Sequence, residues 1–468
     1  MQTTKEKKGL NISAKSFVTA ILMLLVLMVA TYLLTLWIPG GSYQRVVQDG
    51  QEMVVAGTYV PAQGGLPFWK WLLSPLLVLT AEGSGTILAI IAFLLVIGGT
   101  FHCLDKSGLM AYMLQKIVAR FRHKKYTLLC CIALFFMALG AFVGSFEECV
   151  PLVPIAVALS VSLGWDALTG LGMSLLAVGC GFSSGVCNPF TVGVAQQLAE
   201  LPMFSGITFR LLTFAVIYLC LVLFLTHHAK KVEKQALTQN EQAVAFVRDA
   251  KMERGLIAFA VTLGIGVLLI LVSPMIPALQ GIIMPVIALV FLVAGVLSSS
   301  LCGMRGRTLA RFFSDGAVSI LPAVLLILMA SSIKYTLTEA HVLDTILYQA
   351  TGVMQTLPQG AAILFLYLIV LVMNFFISSG SAKAFLLMPL LTPMADLVGI
   401  SRQLSVLAYA FGDGFSNVFY CTNPVLLISL GLAGVGYGKW AKWSWKFQVV
   451  VLLLTCGILL LAGAVGYA

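Results

Sequence analysis

Residues 144–148 read GSFEE, and residues 179–189 read GCGFSSGVCNP. Both stretches interrupt apolar sequence. GSFEE lies between one apolar run from about Tyr126 to Val143 and another that ends at Leu163. GCGFSSGVCNP breaks a segment that covers about 167–200. A helix needs about 20 apolar residues to cross roughly 30 Å of hydrocarbon. Two acids and a Gly/Ser/Asn-Pro break therefore fall where an uninterrupted helix would be expected. Non-helical backbone at that depth is tolerated where protein or a water-filled cavity satisfies it. GSFEE is either an outer loop between two crossings or the tip of a re-entrant hairpin, and the charge pattern alone fits both. The broken helix that follows favours the hairpin.

Composition sets the frame. Of 468 residues, 60% are apolar and 10% charged, against roughly 25% charged in a soluble domain. Continuous apolar runs exclude a β-barrel, whose strands alternate. The net charge of +10 would suit a nucleic-acid partner, but its placement does not. Most Lys and Arg fall in five clusters, at Lys5–Lys15, Lys106–Lys125, Lys230–Arg254, Arg305–Arg311 and Lys439–Lys446. Each lies between apolar runs or before the first. The positive-inside rule puts all five in the cytoplasm. The N-terminus is then cytoplasmic and the C-terminus external, in a multi-pass protein of the cytoplasmic membrane. No nucleic-acid partner is expected. The ten cysteines show no metal-ligand spacing and read as free thiols.

The fold expected is all-α and polytopic, in five parts. Residues 1–84 hold a first helix (about 17–38), a polar loop and an interfacial segment at Pro67–Pro75. Residues 85–228 form a first unit with its tip at 144–148 and a broken helix over 167–200. Residues 229–254 are a cytoplasmic linker, and 255–316 carry scaffold helices. Residues 317–468 form a second unit, with its tip at 378–383 (SSGSAK), a broken helix over 401–436 and a final helix at about 447–466.

The two units are copies. A shift of 235 residues carries Asn188-Pro189 onto Asn423-Pro424, Pro154 onto Pro389 and Gly179 onto Gly414. The chain has six Asn, and its two Asn-Pro dipeptides both fall on this register. The first unit enters from the cytoplasm and the second from outside. Inverted-topology repeats with broken helices are a common build of secondary transporters.

GSFEECVPLVPIAVALSVSLGWD (144–166), CNPFTVGVAQ (187–196) and the stretch from NFFISSGSAK (374–383) to GDGFSNV (412–418) resemble the YfcC family of basic amino acid antiporters. That family is related to the anaerobic four-carbon dicarboxylate carriers of the ion-transporter superfamily. The resemblance covers nearly the whole chain. It implies two inverted repeats, a scaffold and a moving transport domain (an elevator mechanism), and a homodimer. It implies arginine and ornithine as substrates, and Na⁺ and substrate at the tips and breaks.

Four ionisable residues are expected at membrane depth: Glu147, Glu148, Lys383 and Asp413. A charge there costs at least a few kcal/mol, so function is the default reading. The competing reading is an internal ion pair, which the repeat register assigns to Glu148 and Lys383. Three acids and one base suit a substrate with a cationic side chain, while Lys383 and helix N-termini can receive its carboxylate. A dicarboxylate carried with Na⁺ or H⁺ is the alternative. Ser145, Ser379, Ser381, Asn188, Thr422 and Asn423 supply hydrogen bonds at the breaks. Na⁺ is expected near Ser145 and Asn188, and no other cofactor is expected. Asn374 reads as a helix–helix hydrogen bond. No nucleophile–base set accompanies the acids, so an enzyme is not expected.

Overall fold

The computed structural model describes residues 14–48, 51–81, 84–121, 124–203, 205–236, 248–272, 276 and 283–467. The basic residues before Ala14 and the centre of the expected linker, 237–247, lie outside them. Among the described residues the chain is mostly helical, with eight helices long and apolar enough to cross a membrane.

Helix α1 (Ala14–Trp37) is followed by four short strands, β1 (Gly41–Ser42), β2 (Arg45–Gln48), β3 (Gln51–Val54) and β4 (Val60–Pro61). β1 pairs with β4 and β2 with β3, both antiparallel. This corrects the all-α expectation. The polar loop carries Val46, Val47, Val54 and Val60, and β-branched residues favour extended backbone. Asp344 anchors the ribbon: it accepts from the Tyr43 amide at 3.0 Å and pairs with Arg45 at 2.9 Å.

Two short helices, α2 (Phe68–Leu72) and α3 (Ser74–Leu77), occupy the expected interfacial segment. Then come α4 (Ser84–Lys106), α5 (Leu109–Phe121) and α6 (Lys125–Ala138), the last continued by a π-helical turn over Leu139–Val143. A 3₁₀ turn (Glu147–Leu152) leads into α7 (Val153–Ser162). α8 (Ala167–Leu171), a π turn and α9 (Ala177–Ser184) form the first half of the broken helix. A second π turn (Pro189–Gly193) and α10 (Val194–Leu198) form the second half. α11 (Ile207–Ala236) and α12 (Ala250–Val272) run into both ends of the expected linker. α13 (Ile283–Leu301), α14 (Gly306–Ser319), α15 (Leu321–Glu339) and α16 (Val342–Met354) follow. α14 is an amphipathic helix where only a basic connection was expected.

The second unit comprises α17 (Gln359–Phe376), α18 (Gly380–Leu397), α19 (Arg402–Gly414), a 3₁₀ turn (Phe415–Val418), α20 (Pro424–Leu432) and α21 (Tyr437–Ala464). α21 begins about ten residues before the expected start, because the basic segment Lys439–Lys446 is itself helical.

The packing separates two groups. α4 lies against α13 and α14, and α12 against α13. In the other group α9 lies against α6 and its π turn, α19 against α17 and α9, and α10 against α18. α15 joins α1 and α3 to α20, and β3 rests on α18. Breaks and tips are therefore held in the second group, with α4 and α15 alongside.

Candidate functional site

Each broken helix restarts on an Asn-Pro pair, and the chemistry is the same both times. Asn188 Oδ1 accepts from the amides of Phe190 (2.9 Å) and Thr191 (3.3 Å). Asn423 Oδ1 accepts from Val425 (2.9 Å) and Leu426 (3.4 Å). Asn is the N-cap and Pro the first helical residue, where its missing N–H costs nothing. The Asn-Pro pairs start the second halves. The two backbone donors also fix which end of each amide is the oxygen.

The tips sit on these breaks. Gly144 closes the first arm with φ = +77°. A Cβ there would collide with Asn188 Oδ1, so glycine is required twice over. The Cys187 amide donates to the Ala141 carbonyl at 3.0 Å, stitching break one to tip one. Ser145 is buried, whereas Glu147 and Glu148 are half-buried and open the 3₁₀ turn. Glu148 Oε2 has no hydrogen-bond partner. Glu147 lines a small, mainly apolar pocket with Phe93 and Leu94 of α4 and with Val425 and Ile428 of α20.

At tip two, Ser379 is exposed and Ser381 half-buried. Gly380 lies so close to Thr191 and Asp413 that a Cβ would clash with both. Its carbonyl accepts from Tyr409. Break one, tip two and break two therefore meet at one place. Thr422 Oγ1 donates to the Phe375 carbonyl at 2.6 Å.

Lys383 and Asp413 are both 0% exposed, and Lys383 Nζ lies 2.6 Å from Asp413 Oδ1. Neither Asp413 oxygen has a hydrogen-bond partner, so this salt-bridge contact is what joins the two side chains. Lys383 also donates to Asn374 Oδ1 and to the Ile377 carbonyl (2.9 Å). This corrects the Glu148–Lys383 pairing. Positions matched by the repeat register need not touch, and here Asp413 on the neighbouring helix is closer. The two charges neutralise each other below the accessible surface. Among the described residues, no basic side chain pairs with Glu147 or Glu148.

Asn374 does more than join two helices. Its Nδ2 donates to Ser416 Oγ (2.7 Å) and Asn417 Oδ1 (3.0 Å), and Asn423 Nδ2 donates to the same Asn417 oxygen at 3.0 Å. Break one has no such network: Asn188 Nδ2 and Thr191 Oγ1 are buried without partners. Thr191 was missed, although its place three residues after an N-cap was a readable signal. The side chain of Asn188 offers a cation no free oxygen, because its oxygen is committed to the cap. Its free group is an N–H donor, and that does not fit the expected Na⁺.

Two further cations, Arg210 of α11 and Lys334 of α15, also lie in helices of membrane-spanning length. Arg210 is fully buried and donates to the Val186 carbonyl at 3.2 Å, which the break leaves free. The sequence reading did not single it out. Asp166, at the start of α8, accepts from His228 at 3.2 Å and from the Thr169 amide at 2.9 Å. Burial opposes its ionisation. The hydrogen bonds from His228 and Thr169 outweigh that and hold the carboxyl down to about 2.

Comparison with known proteins agrees with this frame. The family model for DcuC, described as C4-dicarboxylate anaerobic carrier, matches residues 17–464. A protein of Escherichia coli (strain K12) named "Putative basic amino acid antiporter YfcC" is 32% identical over 402 residues, 82% of this chain and 79% of that protein. An uncharacterized protein of Haemophilus influenzae (strain ATCC 51907 / DSM 11121 / KW20 / Rd) is 24% identical, over 81% of this chain and 76% of its own length. Among solved structures, the Alcanivorax borkumensis YdaH transporter aligns with a TM-score of 0.43 at 18% identity, over 97% of this chain and 99% of that one. Neisseria gonorrhoeae MtrF, described with a class of antimetabolite efflux pumps, aligns at 0.41 and 17%, over 95% and 94%. The chain is a multi-pass membrane protein and a homologue of YfcC, and it belongs to the DcuC family of C4-dicarboxylate anaerobic carriers.

Proposed function

We propose that this secondary transporter carries or exchanges amino acids, preferably basic ones such as arginine and ornithine, across the cytoplasmic membrane. The observation that carries the reading is the pair Glu147 and Glu148. Both are half-buried and neither has a described basic partner, while Lys383 is sealed against Asp413. In their ionised form these two carboxylates attract ammonium or guanidinium groups and repel a dianion. The unpartnered donors Asn188 Nδ2 and Thr191 Oγ1, at a helix N-terminus, suit the substrate carboxylate. Ser145, Ser379, Ser381, Thr422 and Asn423 complete the surroundings, and Lys383 and Asp413 hold tip two in shape.

The same geometry supports two re-entrant hairpins in inverted repeats, because each tip rests on the mid-helix break of a neighbouring helix. Alternating access then moves the tip-and-break group against α4 and its partners as an elevator, in a homodimer. The N-terminus is cytoplasmic and the C-terminus external. The family match favours a second reading, a dicarboxylate carried with Na⁺ or H⁺.

Counterflow in proteoliposomes separates the two. Internal arginine should drive uptake of labelled arginine and ornithine, with little response to succinate. Succinate or fumarate counterflow without any arginine response would replace the first reading with the second.

A further inference from the structure

Lys383 is among the largest side chains with no exposure at all. Three oxygens of three kinds surround its ammonium: the Asp413 carboxylate at 2.6 Å, the Ile377 carbonyl at 2.9 Å and the Asn374 amide oxygen. Each is placed by the fold. Ile377 is the C-cap of α17, with φ −123° and ψ 95°, so its carbonyl leaves the helical ladder. It sits at the negative end of the helix dipole. Asn374 is turned by Ser416 and Asn417, which take its N–H donors and leave its oxygen facing inward. Gly380 has no Cβ and so lets Asp413 approach.

A carboxylate, an amide oxygen and a freed main-chain carbonyl, closed off from solvent, form the hard oxygen donor set that proteins offer to alkali and alkaline-earth cations. The same three oxygens that meet the three N–H donors of the ammonium could meet a free cation of similar size. We propose that this cage is a monovalent-cation site which the chain fills with its own ammonium. The second tip then closes on a tethered cation and not on a dissociable one. The inference holds whatever the transported substrate is.

Emptying the cage tests it. Purified full-length protein carrying Lys383→Ala, and separately Lys383→Ser, is melted in sodium, potassium, methylammonium and choline chlorides at equal ionic strength. At least one small cation should raise the Tm of both variants by about 5 °C over choline, in a saturable way. The wild type should not respond, and Lys383→Ala/Asp413→Asn should lose the response. Equal melting in all four salts overturns the proposal, as does an equal response in the wild type or the double variant. Failure to recover either variant even in sodium or potassium also overturns it, because a cage that accepts a free cation would then be filled.

Discussion

Asn188 and Asn423 cap their helices with the same atom at the same 2.9 Å, yet one spends its amide nitrogen and the other does not. Asn423 Nδ2 is tied to Asn417, whereas Asn188 Nδ2 is free. Break two is closed by its own hydrogen bonds. Break one keeps a donor in reserve. Asn188→Ser keeps a capping oxygen and removes that amide donor without burying a charge. It should destabilise by no more than about 1–2 kcal/mol and weaken substrate binding at least about tenfold. Tm and binding measured on the same preparation check this. Unchanged affinity would show that the free amide is idle.

The two acids of tip one should set selectivity. Glu147→Gln and Glu148→Gln should each reduce arginine counterflow by about tenfold or more, and that of a neutral amino acid much less. One kcal/mol of lost attraction is already a factor of about five. Equal losses for both substrates would mean that the acids shape the tip and do not read charge.

Removing one member of the sealed pair strands the other. Lys383→Met alone should destabilise by about 3–5 kcal/mol, and Asp413→Leu alone similarly. The double variant should come back to within about 1–2 kcal/mol of the wild type. Thermal unfolding of the four proteins gives the cycle. An additive double variant would mean that the charges do not depend on each other.

At the start of α8, the Asp166–His228 contact makes a pH-dependent contribution. The folded carboxyl is held at about 2, below its ordinary value of 3.8. Its stabilisation is present above about pH 4 and is lost as the pH falls towards about 2. The Tm gap between wild type and Asp166→Asn should be open at about pH 6 and closed near about pH 2. Because Asp166 is partly exposed, the gap should be modest. A gap that widens on acidification would contradict the assignment.

Hydropathy placed most of the long helices because apolar length is a property of a single segment. The Asn-Pro pairs were readable for a similar reason: cap and first-turn chemistry is local, so Asn188 and Asn423 mark helix starts from sequence alone. What pairs with what was not local. The repeat register matched Lys383 with Glu148, but Asp413 and Asn374 come to the ammonium through packing between α17, α18 and α19. Arg210 was hidden because its partner is a main-chain carbonyl, which leaves no trace in residue identity. The β-ribbon was legible in principle, since Val46 and Val47 stand in a loop with little reason to be helical. The loop's polarity masked that signal.

Lys383 and Asp413 also bear on how the protein is made. They sit on separate helices and leave the ribosome one after the other. When α18 first meets the bilayer, its lysine has no counter-charge, and a lone charge at that depth is held out by a few kcal/mol. α19 brings the carboxylate later. Lys383 gains its counter-charge only when α19 packs beside α18, so an unpaired lysine precedes the sealed pair as the chain is made.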